Sequence, residues 1–269
     1  MKKTTLYLKG CVHLQHFYTP VPRQSVDSSC PPRAIYQPDL STATHFGNSA
    51  NFRIFALNID YTQIMLLQDK LKSYTVILAS ASPRRRELLK AAGITYRLAE
   101  KFECDETYPA TLPTEEVAPY LSLLKSHSYP TPLGYGQLLI TADTTVILGN
   151  EVLGKPANEE EAKAMLRKLS GREHSVITGV TLRMDNRAQT FSARSVVRFT
   201  DLTDDQINYY VENYHPLDKA GAYGIQEWIG YVGIERIEGS FFNVMGLPIQ
   251  RLCREIEAFI EELPSCCCY

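Results

Sequence analysis

Three arginines follow a Ser-Pro pair at residues 82–86, directly after the apolar segment 74–79. Ser82 and Pro83 are typical of a helix N-cap and first helical residue. The free N–H groups and dipole at such a helix start favour an anion, and a guanidinium is a planar donor suited to phosphate oxygens. Arg84 and Arg85 lie in the first turn, where the dipole disfavours cations, so their placement favours a phosphate ligand. A solvated arginine run at a helix start is an equally good explanation.

Asp143 is the second residue that could do chemistry. It follows the apolar run Leu138–Ile140, which predicts a buried strand that ends at this carboxylate. Hydrolysis of a phosphate ester or anhydride needs an oriented water, a base or metal, and cations that offset the phosphate charge. Carboxylate oxygens are also hard ligands of the kind that suit Mg²⁺. Capping of a turn is the alternative role for this residue.

Apolar periodicity and capping signals predict the elements that would position these residues. Strands are predicted at 74–79, 137–148, 151–153, about 174–184, 189–200 and near 231–237. Helices are predicted at 82–92, near 117–128, after Asn158, after Thr203 and from Pro248 onward. Pro119 suggests that the second of these helices begins at that residue. Together the elements predict a mixed α/β domain.

Residues 1–72 differ in composition from the rest of the chain. They hold eight Lys or Arg, four Asp and no Glu, and five prolines interrupt the first forty residues. We predict a disordered or non-native N-terminal extension over 1–72, with an acid-poor organelle transit peptide as the alternative. A start at Met65 would give a compact protein. Residues 73–263 form the predicted domain, and 264–269 form a cysteine-rich tail.

Charge and cysteine usage limit the class of protein. A net charge of −2 calls for neither a nucleic acid polymer nor an anionic membrane surface as partner. No apolar run approaches the ~18–20 residues of a spanning helix, so no stable membrane association is expected. Seven cysteines without zinc-ligand spacing argue against a secreted disulfide framework and predict a cytoplasmic protein. Cys266–Cys268 are interpreted as exposed tail cysteines, with S-acylation as the alternative.

A resemblance to the Maf family begins with the run Ala79-Ser80-Ala81-Ser82-Pro83-Arg84-Arg85-Arg86-Glu87-Leu88-Leu89. Further matches follow in the family's order: Asp105-Glu106, Lys125, Thr141-Ala142-Asp143-Thr144, Gly154-Lys155-Pro156, Ser170-Gly171-Arg172, Thr178-Gly179-Val180, Asp218-Lys219-Ala220-Gly221-Ala222-Tyr223-Gly224-Ile225-Gln226 and Asn243-Val244-Met245-Gly246-Leu247-Pro248. The similarity covers about residues 74–262. It implies a mixed central sheet flanked by helices with a deep cleft, as in Maf and inosine-triphosphate pyrophosphatase proteins.

The same resemblance implies roles for individual residues. It makes Asp143 the proton acceptor, and Glu106 with Asp143 the ligands of a divalent cation, Mg or Mn. The residues implied to bind substrate are Ser80, Arg84, Arg85, Lys125, Thr144, Lys155 and Gln226. Without the resemblance, Lys125 and Lys155 are ordinary surface lysines, Gln226 is an ordinary loop amide, and Asp105 is a solvated loop residue.

Arg84, Thr144 and Gln226 resemble the subgroup of the family that prefers dTTP and UTP. A glutamine amide has one donor and one acceptor group, which match the alternating edge of a uracil or thymine ring. Glu227 departs from the pattern, because the family commonly has glycine after this glutamine. The departure leaves substrate preference open more than reaction type.

The predicted function is hydrolysis of dTTP and UTP to the nucleoside monophosphate and pyrophosphate by a metal-dependent enzyme. The first alternative is the same reaction on 7-methyl-GTP or other modified nucleotides. The second is a non-catalytic, nucleotide-binding regulator of cell division. The resemblance also implies a homodimer.

Overall fold

The structure of the protein is a computed structural model that describes residues 66–185 and 187–262. Most of the predicted extension, residues 1–65, and the predicted tail with Cys266–Cys268 lie outside the described residues. Residues 67–73, at the end of that extension, form two short helical turns, and Leu71 belongs to the same buried cluster as Val76. No helix in the described ranges is long and apolar enough to cross a membrane.

A seven-stranded sheet forms the centre of the part of the chain that the structure describes. Its strands are β1 (Thr75–Ala79), β2 (Arg97–Leu98), β3 (Gln137–Leu148), β4 (Glu151–Leu153), β5 (Glu173–Met184), β6 (Arg187–Phe199) and β7 (Ile234–Glu238). The order is β2-β1-β3-β5-β6-β7, and β4 pairs with β3. β1 runs parallel to β2 and β3, while the other neighbours are antiparallel. The prediction of a mixed central sheet is confirmed.

Helices and strands alternate irregularly along the chain. They are α1 (Leu67–Lys70), α2 (Pro83–Ala91), α3 (Val117–Ser128), α4 (Glu159–Leu169), α5 (Asp204–Tyr214), α6 (Trp228–Gly233), α7 (Phe241–Val244) and α8 (Ile249–Glu261). The strand predictions for β3 and β5 agree with the structure to within one residue at each end, and the prediction for β6 begins two residues late. The region 215–247, for which only a strand was predicted, also contains the short helices α6 and α7.

Both faces of the sheet are covered, because successive side chains of a strand point to opposite faces. Ile140 of β3 packs in one cluster with Leu89 of α2 and Phe259 of α8. Ile147, an odd number of residues further along β3, packs with Ala118 of α3 instead. The helices α2 and α8 therefore lie on one face and α3 on the other, which confirms the prediction of a sheet flanked by helices.

The predicted start of α3 at Pro119 is wrong. The helix begins at Val117, preceded by a 3₁₀ turn at Thr114–Glu116. Pro119 is thus the third helical residue, a position whose N–H group has no partner within the helix. The proline therefore costs no hydrogen bond there and is compatible with the first turn.

His174 is buried in an aromatic cluster on β5. Its side chain stacks on Phe199, and its Nε2 lies 2.7 Å from the Tyr223 hydroxyl. Burial lowers the pKa of His174 from 6.5 to about 4. In the unfolded chain this histidine therefore binds a proton near pH 6.5, whereas in the folded protein it does so only near pH 4. Unfolding becomes more favourable as the pH falls through this window.

We expect this histidine to make the protein less stable by about 3 kcal/mol at pH 4 than at pH 7, apart from what the carboxylates contribute. Urea denaturation across this pH range should show a smaller loss in His174→Gln than in the native protein. His215, an exposed histidine, provides the control, and His215→Asn should retain the native slope. Equal slopes for His174→Gln and the native protein would exclude His174 as the cause.

Candidate active site

The strand β3 has an unpaired stretch on one edge. β1 pairs with that edge at residues 137–141 and β4 at residues 146–148, while β5 occupies the other edge from 139 to 147. Among the described strands, residues 142–145 therefore have a neighbour on one side only. Asp143 lies in this gap as the seventh of the twelve residues of β3. The prediction of a strand over 137–148 is confirmed, whereas the interpretation of Asp143 as the end of a buried strand is wrong, because it is the neighbouring strand β1 that ends here, with Ala79 opposite Thr141.

A cleft of about 970 Å³ opens at this gap. It is lined by all the residues that the sequence analysis selected: Ser80, Arg84, Arg85, Glu106, Lys125, Asp143, Thr144, Lys155 and Gln226. The predicted deep cleft is thus confirmed, and the structure brings the selected side chains to one place. Their individual roles stay predictions, and their contacts with the protein differ strongly.

Asp143 and Thr144 face opposite sides of the sheet, because they are consecutive residues of one strand. On the side of Asp143 lies α3, whose Lys125 contacts the aspartate. On the side of Thr144 lies α2, whose Arg85 contacts the threonine. A ligand that lies across the gap in the sheet can therefore contact groups from both faces at once.

Lys125 lies between two carboxylates. Its Nζ donates to Asp143 Oδ1 at 2.6 Å and lies 3.1 Å from Glu106 Oε2. The side chains of Lys125 and Asp143 are only 14% and 12% exposed, whereas that of Glu106 is 46% exposed. An ammonium group in this position brings the two carboxylates together, because each would otherwise repel the other.

Arg85 uses most of its donors within the protein. Its guanidinium donates to the carbonyl oxygens of Ala142 at 2.8 Å and Gly246 at 2.7 Å, and to the hydroxyls of Ser80 and Thr144. The Ala142 carbonyl belongs to the gap in the sheet, so the arginine fills part of the missing strand's place. Burial lowers the pKa of Arg85, and the nearby Asp143 carboxylate opposes that change. These contacts connect α2, β3 and the segment at Gly246, and so stabilise the walls of the cleft.

The Thr144 hydroxyl is held in the same network. It accepts from Arg85 at 2.9 Å and lies 3.0 Å from the Thr178 hydroxyl. Thr178 in turn donates to the carbonyl oxygen of Asn243 at 3.0 Å, which leaves its own oxygen to accept from Thr144. A chain of hydrogen bonds therefore runs from α2 through two strands to α7, and it occupies the hydroxyl that the sequence analysis assigned to the substrate.

Arg84, the neighbour of Arg85 on α2, faces a different direction, since consecutive helical residues are about 100° apart. It donates to Asp218 Oδ2 at 3.0 Å, and Lys219 Nζ donates to Asp218 Oδ1 at 2.7 Å. Burial raises the pKa of Asp218, but the hydrogen bonds and charges of Lys219 and Arg84 outweigh it, and the pKa is lowered overall. Arg84 can exchange this half-exposed carboxylate for a ligand anion.

Lys155 and Ser80 line the cleft in contrasting ways. Lys155 is an exposed residue just after β4, with an ammonium that can move towards a ligand. Ser80 follows β1, and its hydroxyl accepts from the backbone N–H of Ser82 at 3.3 Å as well as from Arg85. The serine therefore stabilises the turn into α2. Ser82 itself makes no side-chain cap hydrogen bond there.

Gln226 and Glu227 lie where the chain enters α6. Glu227 accepts from the Tyr210 hydroxyl, lies 3.2 Å from Lys219 Nζ, and accepts from Gln226 Nε2 at 3.4 Å. Gln226 Oε1 is buried and has no hydrogen-bond partner among the described residues. Because a buried acceptor without a partner costs free energy, this oxygen is available for a ligand.

Asp218 and Lys219 were not among the residues predicted for the site. Both line the cleft, and the Lys219 side chain is only 8% exposed. Their signal was present only as part of a family motif, since neither helical nor strand periodicity marks a charged pair in an irregular segment. Their importance follows from contacts with Arg84, which is 134 positions from Asp218, and with Glu227, which lies in the same irregular region.

The carboxylates of the cleft fit a divalent cation that is completed by substrate. Among the described residues, no group of three His, Cys, Asp or Glu side chains could hold a metal ion by itself. Glu106 and Asp143 both lie within about 3 Å of Lys125 Nζ and so lie close together. Mg²⁺ is commonly held by one or two carboxylates plus phosphate oxygens and water, and this pair meets that requirement.

Gly179 of β5 sets the position of α3 and hence of Lys125. It is the cross-strand partner of Asp143, and α3 passes directly over it. A Cβ atom at this position would lie 2.3 Å from the Pro119 nitrogen and 2.4 Å from the Ala118 carbonyl. Only glycine therefore permits the close approach of helix and strand that places the lysine on the aspartate.

We expect Gly179→Ala to destabilise the fold by about 1–3 kcal/mol, because backbone atoms cannot yield as a flexible side chain does. It should also lower activity, since α3 must move away from Asp143. Urea denaturation and turnover on the same preparation measure both effects. Gly154→Ala is the control, because a Cβ there meets no atom within 4 Å. Equal stability of the two variants would contradict the close contact.

Comparisons with known proteins identify a family and relatives for this chain. A family model for Maf-like proteins matches residues 75–259. A dTTP/UTP pyrophosphatase of Phocaeicola vulgatus is 50% identical over 189 residues, which cover 70% of this chain and 98% of the relative. A dTTP/UTP pyrophosphatase of Porphyromonas gingivalis is 49% identical over 195 residues, covering 72% and 98%. A solved HAM1 protein from Coxiella burnetii matches at 15% identity and a TM-score of 0.38, covering 69% of this chain and 99% of that one.

The mixed sheet and the cleft in its gap, where a nearly buried carboxylate lies among cations, define an α/β protein with a site for a charged ligand. The family follows from the match over residues 75–259 and from the relatives at about 50% identity. The chain belongs to the Maf-like protein family.

Proposed function

We propose that this protein is a nucleoside-triphosphate pyrophosphatase that hydrolyses dTTP and UTP to the nucleoside monophosphate and pyrophosphate. The observation that carries the proposal is the nearly buried Asp143, in contact with Lys125, in a cleft that also holds Arg84 and Lys155. The relatives from P. vulgatus and P. gingivalis, both named dTTP/UTP pyrophosphatase, support the same reaction.

In the proposed reaction, a water molecule attacks the α-phosphorus and Asp143 accepts its proton. The water oxygen forms the new bond to phosphorus, the bond from the α-phosphorus to the bridging oxygen breaks, and pyrophosphate leaves. The hydrogen bond from Lys125 at 2.6 Å holds the Asp143 carboxylate in position for this proton transfer. The limited exposure of both side chains strengthens their electrostatic effect on a bound phosphate.

Three cations of the cleft offset the charge of the triphosphate. Arg84 offers a planar pair of donors, and Lys125 and Lys155 act as point charges. Arg84 reaches the phosphates by leaving Asp218, which keeps its second partner, Lys219. Because Asp218 is never left without a cation, this exchange costs little. In this proposal Arg85 does not bind the phosphates, because the protein uses its donors, and it stabilises the residues around the phosphate site instead.

A divalent cation, Mg²⁺ or Mn²⁺, is part of the proposal. Glu106 and Asp143 would hold it together with phosphate oxygens and water, and the Glu106 side chain is exposed enough to move away from Lys125. When bound, the cation would withdraw electron density from the phosphates and make the phosphorus easier to attack.

Gln226 is proposed to recognise the base. Its Oε1 has no partner among the described residues, and the N3–H group of uracil or thymine is a donor that would satisfy it. A base without such a donor would leave this oxygen unpaired, and a site of this kind rejects such bases. Thr144 contributes by holding Arg85, since its own hydroxyl has protein partners.

Pyrophosphate release from a panel of triphosphates tests the proposal. We expect UTP and dTTP to be hydrolysed with the highest kcat/KM, and we expect EDTA to stop the reaction and Mg²⁺ or Mn²⁺ to restore it. GTP and 7-methyl-GTP should be poor substrates. Preferential hydrolysis of 7-methyl-GTP would contradict the proposed substrate, and tight nucleotide binding without pyrophosphate release would contradict the proposed enzyme.

We also propose that the enzyme acts in the cytoplasm, as its cysteine usage predicts, and as a homodimer, as its family resemblance implies. Sedimentation equilibrium would test the second part, because the chain has a mass of 30.4 kDa and the dimer twice that value. A single species of the monomer mass at micromolar concentration would contradict it.

A further inference from the structure

The Glu227 carboxylate accepts from three side chains in the wall of the cleft. Oε2 accepts from the Tyr210 hydroxyl, and Oε1 lies 3.2 Å from Lys219 Nζ and 3.4 Å from Gln226 Nε2. The phenol is the donor in the first contact, since burial and then the hydrogen bond to Glu227 raise the pKa of Tyr210. As a carboxylate, Glu227 offers only acceptor oxygens to these neighbours.

An acceptor in this place decides how the Gln226 amide is oriented. The NH₂ group can donate to Glu227 Oε1, whereas the amide oxygen in the same place would face a negatively charged oxygen at about the same distance. The first orientation is attractive and the second repulsive, so the amide cannot turn over without cost. Its carbonyl oxygen is thereby left buried and without a partner among the described residues.

We infer that Glu227 is a positioning residue for the Gln226 amide and thereby selects uracil-type bases over cytosine. It holds the NH₂ group of the amide towards its own carboxylate and leaves the amide oxygen free for the base. The inference rests on the proposed function for its substrates. Uracil and thymine offer an N–H donor at N3, which pairs with a free acceptor. Cytosine has an acceptor at N3, which would pair only with the amide turned over.

Gly224 leaves room for this arrangement, because it has no side chain. A Cβ atom on residue 224 would lie 2.8 Å from Gln226 Nε2, 2.8 Å from Glu227 Cδ and 2.9 Å from Glu227 Oε2. Gly224 also donates its backbone N–H to the Tyr210 hydroxyl at 2.9 Å. Tyrosine, glutamate and glutamine are therefore packed against one glycine, which limits their movement.

The variant Glu227→Gln tests this inference with almost no change in shape. If the oxygen of the new amide still accepts from Tyr210, its NH₂ group presents a donor to Gln226 in place of an acceptor, and Lys219 retains Asp218. We expect the ratio of kcat/KM for UTP to that for CTP to fall at least about tenfold, since a single buried unmatched polar group costs this much. The ratio for UTP to dTTP should stay constant, because both bases have the same edge.

Glu235→Gln is the matched control, because Glu235 pairs with Arg198 on the surface and does not line the cleft. It should leave both ratios at the native values. If Glu227→Gln lowers activity on UTP and CTP by the same factor, Glu227 has a merely structural role and the inference is wrong.

A second measurement needs no substrate. The side-chain NH₂ signals of Gln226 in a ¹⁵N-correlated NMR spectrum can be assigned by their loss in Gln226→Leu. We expect them to shift and to exchange faster with water in Glu227→Gln than in the native protein, and unchanged signals would overturn the inference. Failure of the proposed function would appear separately, as native protein that releases no pyrophosphate from UTP or dTTP, and the NMR result would still decide the role of Glu227.

Discussion

Asp143→Asn is expected to reduce pyrophosphate release by about 10²–10⁴-fold, the usual contribution of a general base. Asparagine has almost the same shape as aspartate, but its amide cannot take a proton from water and is a poor ligand for Mg²⁺. The loss should appear in kcat rather than in KM, because Arg84, Lys125 and Lys155 still bind the phosphates.

The fold should persist in this variant. Lys125 would lose a carboxylate at 2.6 Å but keep Glu106 at 3.1 Å, so no ammonium group is left alone in the cleft. The asparagine oxygen can also accept from Lys125. We therefore expect the melting temperature to change by no more than about 5 °C. Steady-state kinetics and thermal denaturation on one preparation separate loss of chemistry from loss of structure.

Asp69→Asn is the control for Asp143→Asn, because Asp69 pairs with Lys72 on the surface outside the cleft. It removes the same charge and should leave kcat unchanged. Turnover by Asp143→Asn at the native rate would reject the assignment of the proton acceptor, and an unfolded variant would show that the Lys125 contact has a larger structural role than its geometry indicates.

The second large effect is expected at Arg85, where Arg85→Lys should destabilise the fold by about 3 kcal/mol. The three donors of a lysine lie on one nitrogen, which cannot reach the four separate acceptors that the three guanidinium nitrogens contact, so buried acceptors lose their partner. For a domain of this size, the melting temperature should fall by about 6–12 °C. Activity should fall as well, because the gap in the sheet loses the side chain that closes one part of it.

Arg84→Lys is the matched variant one residue earlier. Arg84 makes an ion pair with the half-exposed Asp218, and exposed pairs contribute little to stability. We therefore expect a nearly native melting temperature and a KM for UTP that rises about tenfold, because a lysine cannot bind phosphate oxygens with two parallel donors. If Arg85→Lys instead kept the native melting temperature and only raised KM, Arg85 would bind substrate directly.

Much of the fold could be predicted from the sequence. The strands β3 and β5 are long and rich in apolar and β-branched residues, and they were predicted to within a residue at each end. Thr203 and Gln206 form the capping contacts at the start of α5. Local patterns were insufficient between residues 215 and 247, where the helices α6 and α7 are too short to show a period. The predicted helix start at Pro119 was wrong because this proline lies in the first turn of α3, where a proline does not interrupt the helix.

Residue types and their order along the chain also indicated which side chains lie in the cleft, since motif residues on several elements converged there as expected. The sequence by itself determined the elements, the acid and base groups available, and the family resemblance. Only the tertiary structure decided that Asp143 lies within a strand beside a gap, that Arg85 supports the cleft while Arg84 faces it, and that Glu227 holds Gln226. The reason is physical: periodicity and capping act over a few neighbouring residues, whereas the partner of each donor is set by contacts such as that between Arg85 and Gly246, which are 161 positions apart.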